Sequence, residues 1–272
     1  MSRIEKKFAE LRRRREKALI LFITAGDPDF RRNEELVLAF EKEGVDFVEL
    51  GIPFSDPLAD GPVIQASSMR SLAKKTNLKK IFGLVARLRR KTELPILLMG
   101  YVNPILQYGY DRFARDARAA GVDGLIVPDV PPEEGGEIAP AMKKSGVDLV
   151  YLLAPTSDDA RRAAVSRASR GFIYYVSMTG VTGSGRRAVL GEIRRNIALV
   201  KKKTKLPVCV GFGVSRPEQA AELARTADGV IIGSHIVRSI AENPKMSGAA
   251  FAAKYVRPFV RAVKGRRSWR RR

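Results

Sequence analysis

Eight short apolar runs, each followed by a stretch of helical periodicity, constrain this chain more than any other feature. The runs lie at 19–24, 46–50, 95–101, 124–127, 149–153, 172–177, 207–211 and 229–232. Between them, apolar residues recur at helical spacing over 33–43, 78–91, 111–120, 132–145, 158–169, 190–203 and 217–226. A helical pattern at 248–263 closes the chain, and an amphipathic segment at 3–15 precedes the first run. Strands that are apolar on both faces belong to a parallel sheet covered by helices on both sides. A closed eight-stranded barrel and an open doubly wound sheet both satisfy that pattern. Eight repeats in 272 residues favour the barrel. The expected fold is therefore α/β: a single-domain (β/α)8 TIM barrel over 1–265. It carries an extra N-terminal helix and a short phosphate-binding helix after the eighth strand. A basic tail at 266–272 is expected to be disordered.

Composition removes several function classes. The apolar runs are strand length, well short of the roughly 20 residues of a membrane span. The N-terminal residues form no apolar signal core, so a cytoplasmic location is expected. The one cysteine, Cys209, sits in an apolar run and reads as a small buried hydrophobe. The one histidine, His235, leaves no His cluster for a metal and no His-based charge relay. No metal site is expected. The net charge is +21, with basic runs at 12–15, 201–203 and 266–272. Such a field attracts anions in general. The runs are scattered and no nucleic-acid motif accompanies them, so solvated helix faces are expected in preference to nucleic-acid binding.

The residues able to carry chemistry fall at the ends of the expected strands. Glu49 is set among Phe47, Val48 and Leu50 in the second strand. A carboxylate there must be paired, hydrogen-bonded or protonated. A proline-stiffened loop follows, carrying Asp56 and Asp60. Two carboxyls in unlike environments can supply an acid and a base at one pH. Each aspartate alone also fits ordinary turn chemistry, before Pro57 and before Gly61.

Glycine-rich segments follow the last three strands: 179–185, Gly211 to Ser215, and Gly233-Ser234. In a barrel these ends cradle phosphate through backbone N–H groups and a helix N-terminus. Phe22, Met99, Tyr101, Ile126, Leu152 and Tyr174 come from the C-terminal halves of five strands. They pack a core by default, but on a barrel they line the mouth. A flat apolar substrate with a phosphate tail is the ligand this combination suggests. The long stretches after the second and sixth strands, 51–77 and 178–188, lack periodicity and are expected to be functional loops.

The run from Glu49 through Leu50, Gly51, Ile52, Pro53, Phe54, Ser55, Asp56, Pro57, Leu58, Ala59, Asp60, Gly61 and Pro62 closely resembles the signature of the tryptophan synthase alpha chain family. The similarity extends from about Phe8 to the final helix. It includes Phe22-Ile23-Thr24-Ala25-Gly26-Asp27-Pro28, Tyr101-Val102-Asn103-Pro104, Pro128-Asp129-Val130-Pro131, Gly180-Val181-Thr182-Gly183 and Gly211-Phe212-Gly213. Met178 stands where many family members have arginine, and the basic charge is unusual for the family.

The resemblance implies a carbon–carbon lyase that cleaves indole-3-glycerol phosphate to indole and glyceraldehyde 3-phosphate. Glu49 would be its acid–base, and Asp60 the carboxylate on the indole N–H. The indole pocket would be Phe22, Tyr101, Ile126, Leu152 and Tyr174, with Met99 added from the strand-end reading above. Gly183, Phe212, Gly213, Gly233 and Ser234 would bind phosphate, and Thr182 would belong to a lid loop. The resemblance also implies that this chain needs no cofactor. Its partner would be a beta subunit that holds pyridoxal phosphate, in an alpha2beta2 heterotetramer, with Asp56 on the surface between them.

Overall fold

A computed structural model describes residues 1–176, 185–211 and 213–265. The strands are β1 Ala18–Thr24, β2 Phe47–Gly51, β3 Ile96–Met99, β4 Gly124–Ile126, β5 Asp148–Val150, β6 Leu152–Leu153, β7 Ile173–Val176, β8 Val208–Gly211 and β9 Gly229–Ile232. All pairings are parallel, in the order β5-β4-β3-β2-β1-β9-β8-β7-β6. β5 and β6 are halves of the expected fifth strand, separated by Tyr151. The first half pairs with β4 and the second with β7. The Tyr151 carbonyl accepts from the Tyr174 N–H at 3.1 Å. One strand thus serves both neighbours and closes the barrel. The sixth, seventh and eighth expected strands are β7, β8 and β9.

Alternate residues of each strand face inward. Ala18, Ile20, Phe47, Leu97, Ile126, Val150, Tyr174, Cys209 and Ile231 form the inner cluster. Helix α1, Arg3–Arg14, plugs its N-terminal end with Ile4, Phe8 and Leu11. The Phe8 ring lies 4.8 Å from Phe47 and 5.9 Å from Phe172, centroid to centroid. Ser2 and Glu5 form a capping box at the start of α1, and Ser2 Oγ donates to Asp148 at 2.7 Å. The outer ring comprises α2 Phe30–Glu43, α3 Pro62–Ala73, α4 Leu78–Arg89, α5 Val102–Tyr108, α6 Tyr110–Ala120, α7 Ile138–Ser145, α8 Asp159–Ala168, α9 Gly185–Lys203, α10 Pro217–Ala224, α11 Ser234–Glu242, α12 Gly248–Phe251 and α13 Arg257–Lys264.

Several boundaries differ from the periodicity, each for a local reason. The stretch 51–77 is not a continuous loop, because it contains α3. The residues α3 buries are Ile64, Ser67, Ser68 and Ser71. A serine face makes no apolar stripe, so the helix is silent in a hydrophobicity pattern. Helix α5, also absent from the expectation, buries Ile105 alone. The expected helix at 132–145 is a 3₁₀ turn, Pro132–Glu134, and then α7, parted by Gly135 and Gly136. Helix α9 begins at Gly185, five residues before its periodic apolar pattern. The closing helix carries a π turn at Ala252–Val256, just before Pro258. Proline has no N–H to donate, and a shifted ladder is a common accommodation.

Basic residues concentrate in final helical turns: Arg12, Arg13 and Arg14 of α1, Lys143 and Lys144 of α7, Lys201, Lys202 and Lys203 of α9. Cations there complement the helix dipole. Helices α7 and α9 lead back to the starts of β5 and β8, so their final turns lie at the end of the barrel opposite the strand C-termini, whereas the last turn of α3 reaches Ala25 and Asp27 just after β1. These basic turns therefore sit at the end away from the mouth. There, Lys264 of α13 and Asp46 form a buried ion pair at 2.6 Å, each side chain 3% exposed.

Candidate active site

Glu49 faces the barrel interior because Phe47, Glu49 and Gly51 share the inward face of β2. Its register partners are Phe22 on β1 and Leu97 on β3. It is fully buried, and neither carboxyl oxygen has a hydrogen-bond partner among the described residues. Of the resolutions open to a carboxylate in an apolar strand, pairing with a lysine or arginine is therefore not the one used. Burial raises its pKa from 4.5 to about 8. The group is a neutral acid at pH 7.

Asp60 lies in the loop joining β2 to α3. Its N–H donates to Pro57 O at 3.0 Å, and Gln65 Nε2 donates to its carbonyl at 2.8 Å. Burial pushes the Asp60 carboxyl upward, against a hydrogen bond from the Tyr101 hydroxyl that lowers it. The net shift is upward. The Tyr101 hydroxyl also accepts the Ala59 N–H at 2.9 Å. Its ring packs on Phe54, centroids 5.4 Å apart. Asp129 holds the next residue, accepting the Val102 N–H on both oxygens at 3.1 and 3.2 Å. Tyr174 is almost fully buried, and its phenol is pushed well above its usual range, mainly by burial and further by the neighbouring ionisable groups of Glu49, Cys209 and Asp60. The two carboxyls therefore act on one side chain at the mouth.

The expected pocket residues are found together around them. Met99 pairs with Ile126 across β3 and β4, and Leu152 with Tyr174 across β6 and β7. Phe22 packs against Ile64, Val237 and Met99. Two glycines make the fit possible. A Cβ on Gly51 would enter the Phe22 ring, and one on Gly211 would lie 2.5 Å from the Tyr174 hydroxyl. Met99 and Leu152 are half-buried, leaving surface toward the mouth.

In the loop after β8, Gly213 takes a left-handed conformation with φ +72°. Gly233 precedes α11, whose first residue is the exposed Ser234. No side chain among the described residues caps that helix, which leaves its first N–H groups available to an anion. The β8–α10 loop is set by Gln219, whose Oε1 accepts from the N–H groups of Ser215 and Arg216 at 3.0 and 2.9 Å. Thr182, Gly183 and Phe212, and also Met178 and the tail at 266–272, lie outside the described residues. His235 packs its ring on Phe259, centroids 5.3 Å apart, and turns away from this chemistry. Asp56 is exposed on the β2–α3 loop, whereas Asp60 is half-buried. Cys209 is fully buried and its thiol pushed up by burial, as expected of a packing residue.

Sequence reasoning gave no role to Asp129, Gln65, Phe54, Ile64 or Val237. Only Asp129 left a trace, as a carboxylate between two prolines in the 128–131 loop.

A closed parallel barrel with neutral and ionisable carboxyls gathered over an apolar mouth defines a (β/α)8-barrel enzyme. Residues 8–264 match the family model described as tryptophan synthase alpha chain. The chain is 56% identical over 238 residues to the tryptophan synthase alpha chain of Citrifermentans bemidjiense, covering 88% of this chain and 89% of that one. It is 46% identical over 265 residues to that of Desulfosudis oleivorans, covering 97% and 100%. Tryptophan synthase subunit alpha from Legionella pneumophila superposes with a TM-score of 0.89 at 39% identity, covering 97% and 98%. A tryptophan synthase structure from Mycobacterium tuberculosis gives 0.87 at 35%, with coverage of 97% and 98%. The chain belongs to the tryptophan synthase alpha chain family. Its activity is the alpha reaction, a lyase step of tryptophan biosynthesis that cleaves indole-3-glycerol phosphate.

Proposed function

We propose that Glu49 and Asp60 perform this cleavage from opposite edges of the indole ring. Breaking the bond to indole C3 requires C3 to be protonated first, which puts positive charge on the ring nitrogen. Glu49 donates that proton. It then accepts the proton of the adjacent glycerol hydroxyl as the C–C bond breaks and the aldehyde forms. The cycle returns Glu49 to its acid form and consumes no water. The observation that carries this is its complete burial with neither carboxyl oxygen partnered among the described residues, which favours the protonated form a donor needs at working pH.

Asp60 accepts the indole N–H and stabilises the cation, an interaction strongest in the transition state. Phe22, Met99, Tyr101, Ile126, Leu152 and Tyr174 hold the ring. Gly213, Gly233 and Ser234 hold the phosphate, together with Gly183 and Phe212, and Thr182 belongs to a lid. The step uses proton transfer alone, so this chain carries no cofactor. The partner is a beta subunit in an alpha2beta2 assembly, which holds pyridoxal phosphate and receives the indole. The β2–α3 loop around Asp56 meets that partner, and the setting is the cytoplasm.

The test is indole release from indole-3-glycerol phosphate by purified protein, with and without a beta subunit. Glu49→Gln and Asp60→Asn should each sharply reduce turnover, leaving a measurable residual rate. Normal turnover by either variant contradicts its assigned role.

A further inference from the structure

Asp60 leads directly into α3, whose apolar grip on the barrel is thin: it buries Ile64, with Val63 half-buried beside it against the Phe22 cluster. Polar contacts hold it instead. Arg70 donates from Nε and Nη2 to the two oxygens of Asp27 at 2.9 and 2.7 Å. The Ser67 and Thr24 hydroxyls share a 2.6 Å hydrogen bond, and Ser71 Oγ donates to Ala25 O at 2.6 Å. The loop after β1 is itself fixed by the fully buried Asn33. That side chain accepts the Gly26 N–H at 2.6 Å and donates to the carbonyls of Thr24 and Asp27 at 3.2 and 3.0 Å.

The connected path is short. From Asp60 it runs through Gln65 and α3 to Arg70, then to Asp27 and β1, where Phe22 lies in register with Glu49. Asp27 is 4% exposed while Arg70 is nearly half-exposed. A buried carboxylate needs its partner, and only a guanidinium offers two parallel donors in a fixed fork.

We propose that the Arg70–Asp27 fork is a positioning device that sets the placement of Asp60 against Glu49 across the mouth. This rests on the role given to Asp60 above. Arg70 touches no reacting atom and acts only through α3.

A double-mutant cycle of Arg70→Lys with Asp60→Asn separates positioning from plain stabilisation, with kcat and KM measured well below the Tm of every variant. Lysine keeps the charge and loses the fork. Arg70→Lys is expected to lower kcat about tenfold with KM changed less than about twofold, since small misplacements of a catalytic group are costly. In the Asp60→Asn background the same change should cost nothing further. Losses that multiply in the double variant, or an Arg70→Lys enzyme with parental kcat and a lowered Tm, would overturn the proposal. Parental kcat in Asp60→Asn alone would instead overturn the role of Asp60, and the proposal with it. Asp27→Asn, which breaks the fork from the other side, supplies the same cycle should Arg70→Lys fail to fold.

Discussion

Replacing Glu49 with glutamine should move activity and stability in opposite directions, and the second effect has a definite size. In the unfolded chain this carboxyl titrates near 4.5, and in the folded barrel at about 8. Between those values the native state keeps a proton that the unfolded chain has released. Stability is therefore full below pH 4.5 and declines as pH rises through the folded value. The slope is about 1.4 kcal/mol per pH unit, which gives a loss of about 3 to 4 kcal/mol between pH 5 and pH 8. Glu49→Gln has no proton to release and escapes that loss. Glutamine also leaves a buried polar group without partners, but that cost does not vary with pH. The other ionisable groups are common to both proteins and cancel in the comparison. Urea unfolding of parent and variant from pH 5 to pH 8 should show the difference swinging toward the variant by this amount. Indole release should fall about 10²- to 10⁴-fold in the same variant, the usual contribution of a general acid. A difference that stays flat across the pH range would refute the claim that the fold holds Glu49 neutral.

The pH dependence of turnover gives a second expectation: kcat should decline as pH rises through about 8, because the protonated form of Glu49 is the donor. Tyr101→Phe removes the hydroxyl that accepts the Ala59 N–H and bonds Asp60. Steady-state kinetics should show kcat reduced about tenfold, the scale set by one misplaced polar group. Lys264→Met leaves Asp46 as an uncompensated buried charge, 2% exposed. It should destabilise the fold by about 3 to 5 kcal/mol in urea. The kcat of its folded fraction should stay at the parental value, since the pair lies at the opposite end of the barrel.

Apolar residues write their positions into the sequence, and polar packing does not. The strands were legible because Leu19, Ile20, Val48, Leu97, Val210 and Ile231 are buried on whichever face they present. Glu49 stood out for the same reason, as one carboxyl in such a run. The glycines after β8 and β9 were legible as breaks. Helix α3 was not, because Ser67 and Ser71 face the barrel and read as loop chemistry. The fork between Arg70 and Asp27 joins residues 43 positions apart, and nothing in the spacing of either points to the other. The neutrality of Glu49 was one of several outcomes open to a buried carboxyl. It follows from its burial with neither oxygen partnered among the described residues, a property of the packed barrel and not of the strand. The two aspartates were told apart by the family resemblance and not by their spacing; the physical difference is that the Tyr101 hydroxyl, 41 residues beyond Asp60, hydrogen-bonds its carboxyl.

The central claim is that the indole ring sits between Glu49 and Asp60, with its phosphate at the start of α11. A crystal structure of the Glu49→Gln variant soaked with intact indole-3-glycerol phosphate tests it most directly. The account predicts the residue-49 side chain over C3, the Asp60 carboxylate on the ring N–H, and the phosphate on the N–H groups of Gly233 and Ser234. A ring seated with its N–H turned away from Asp60, or a phosphate bound elsewhere, would contradict it.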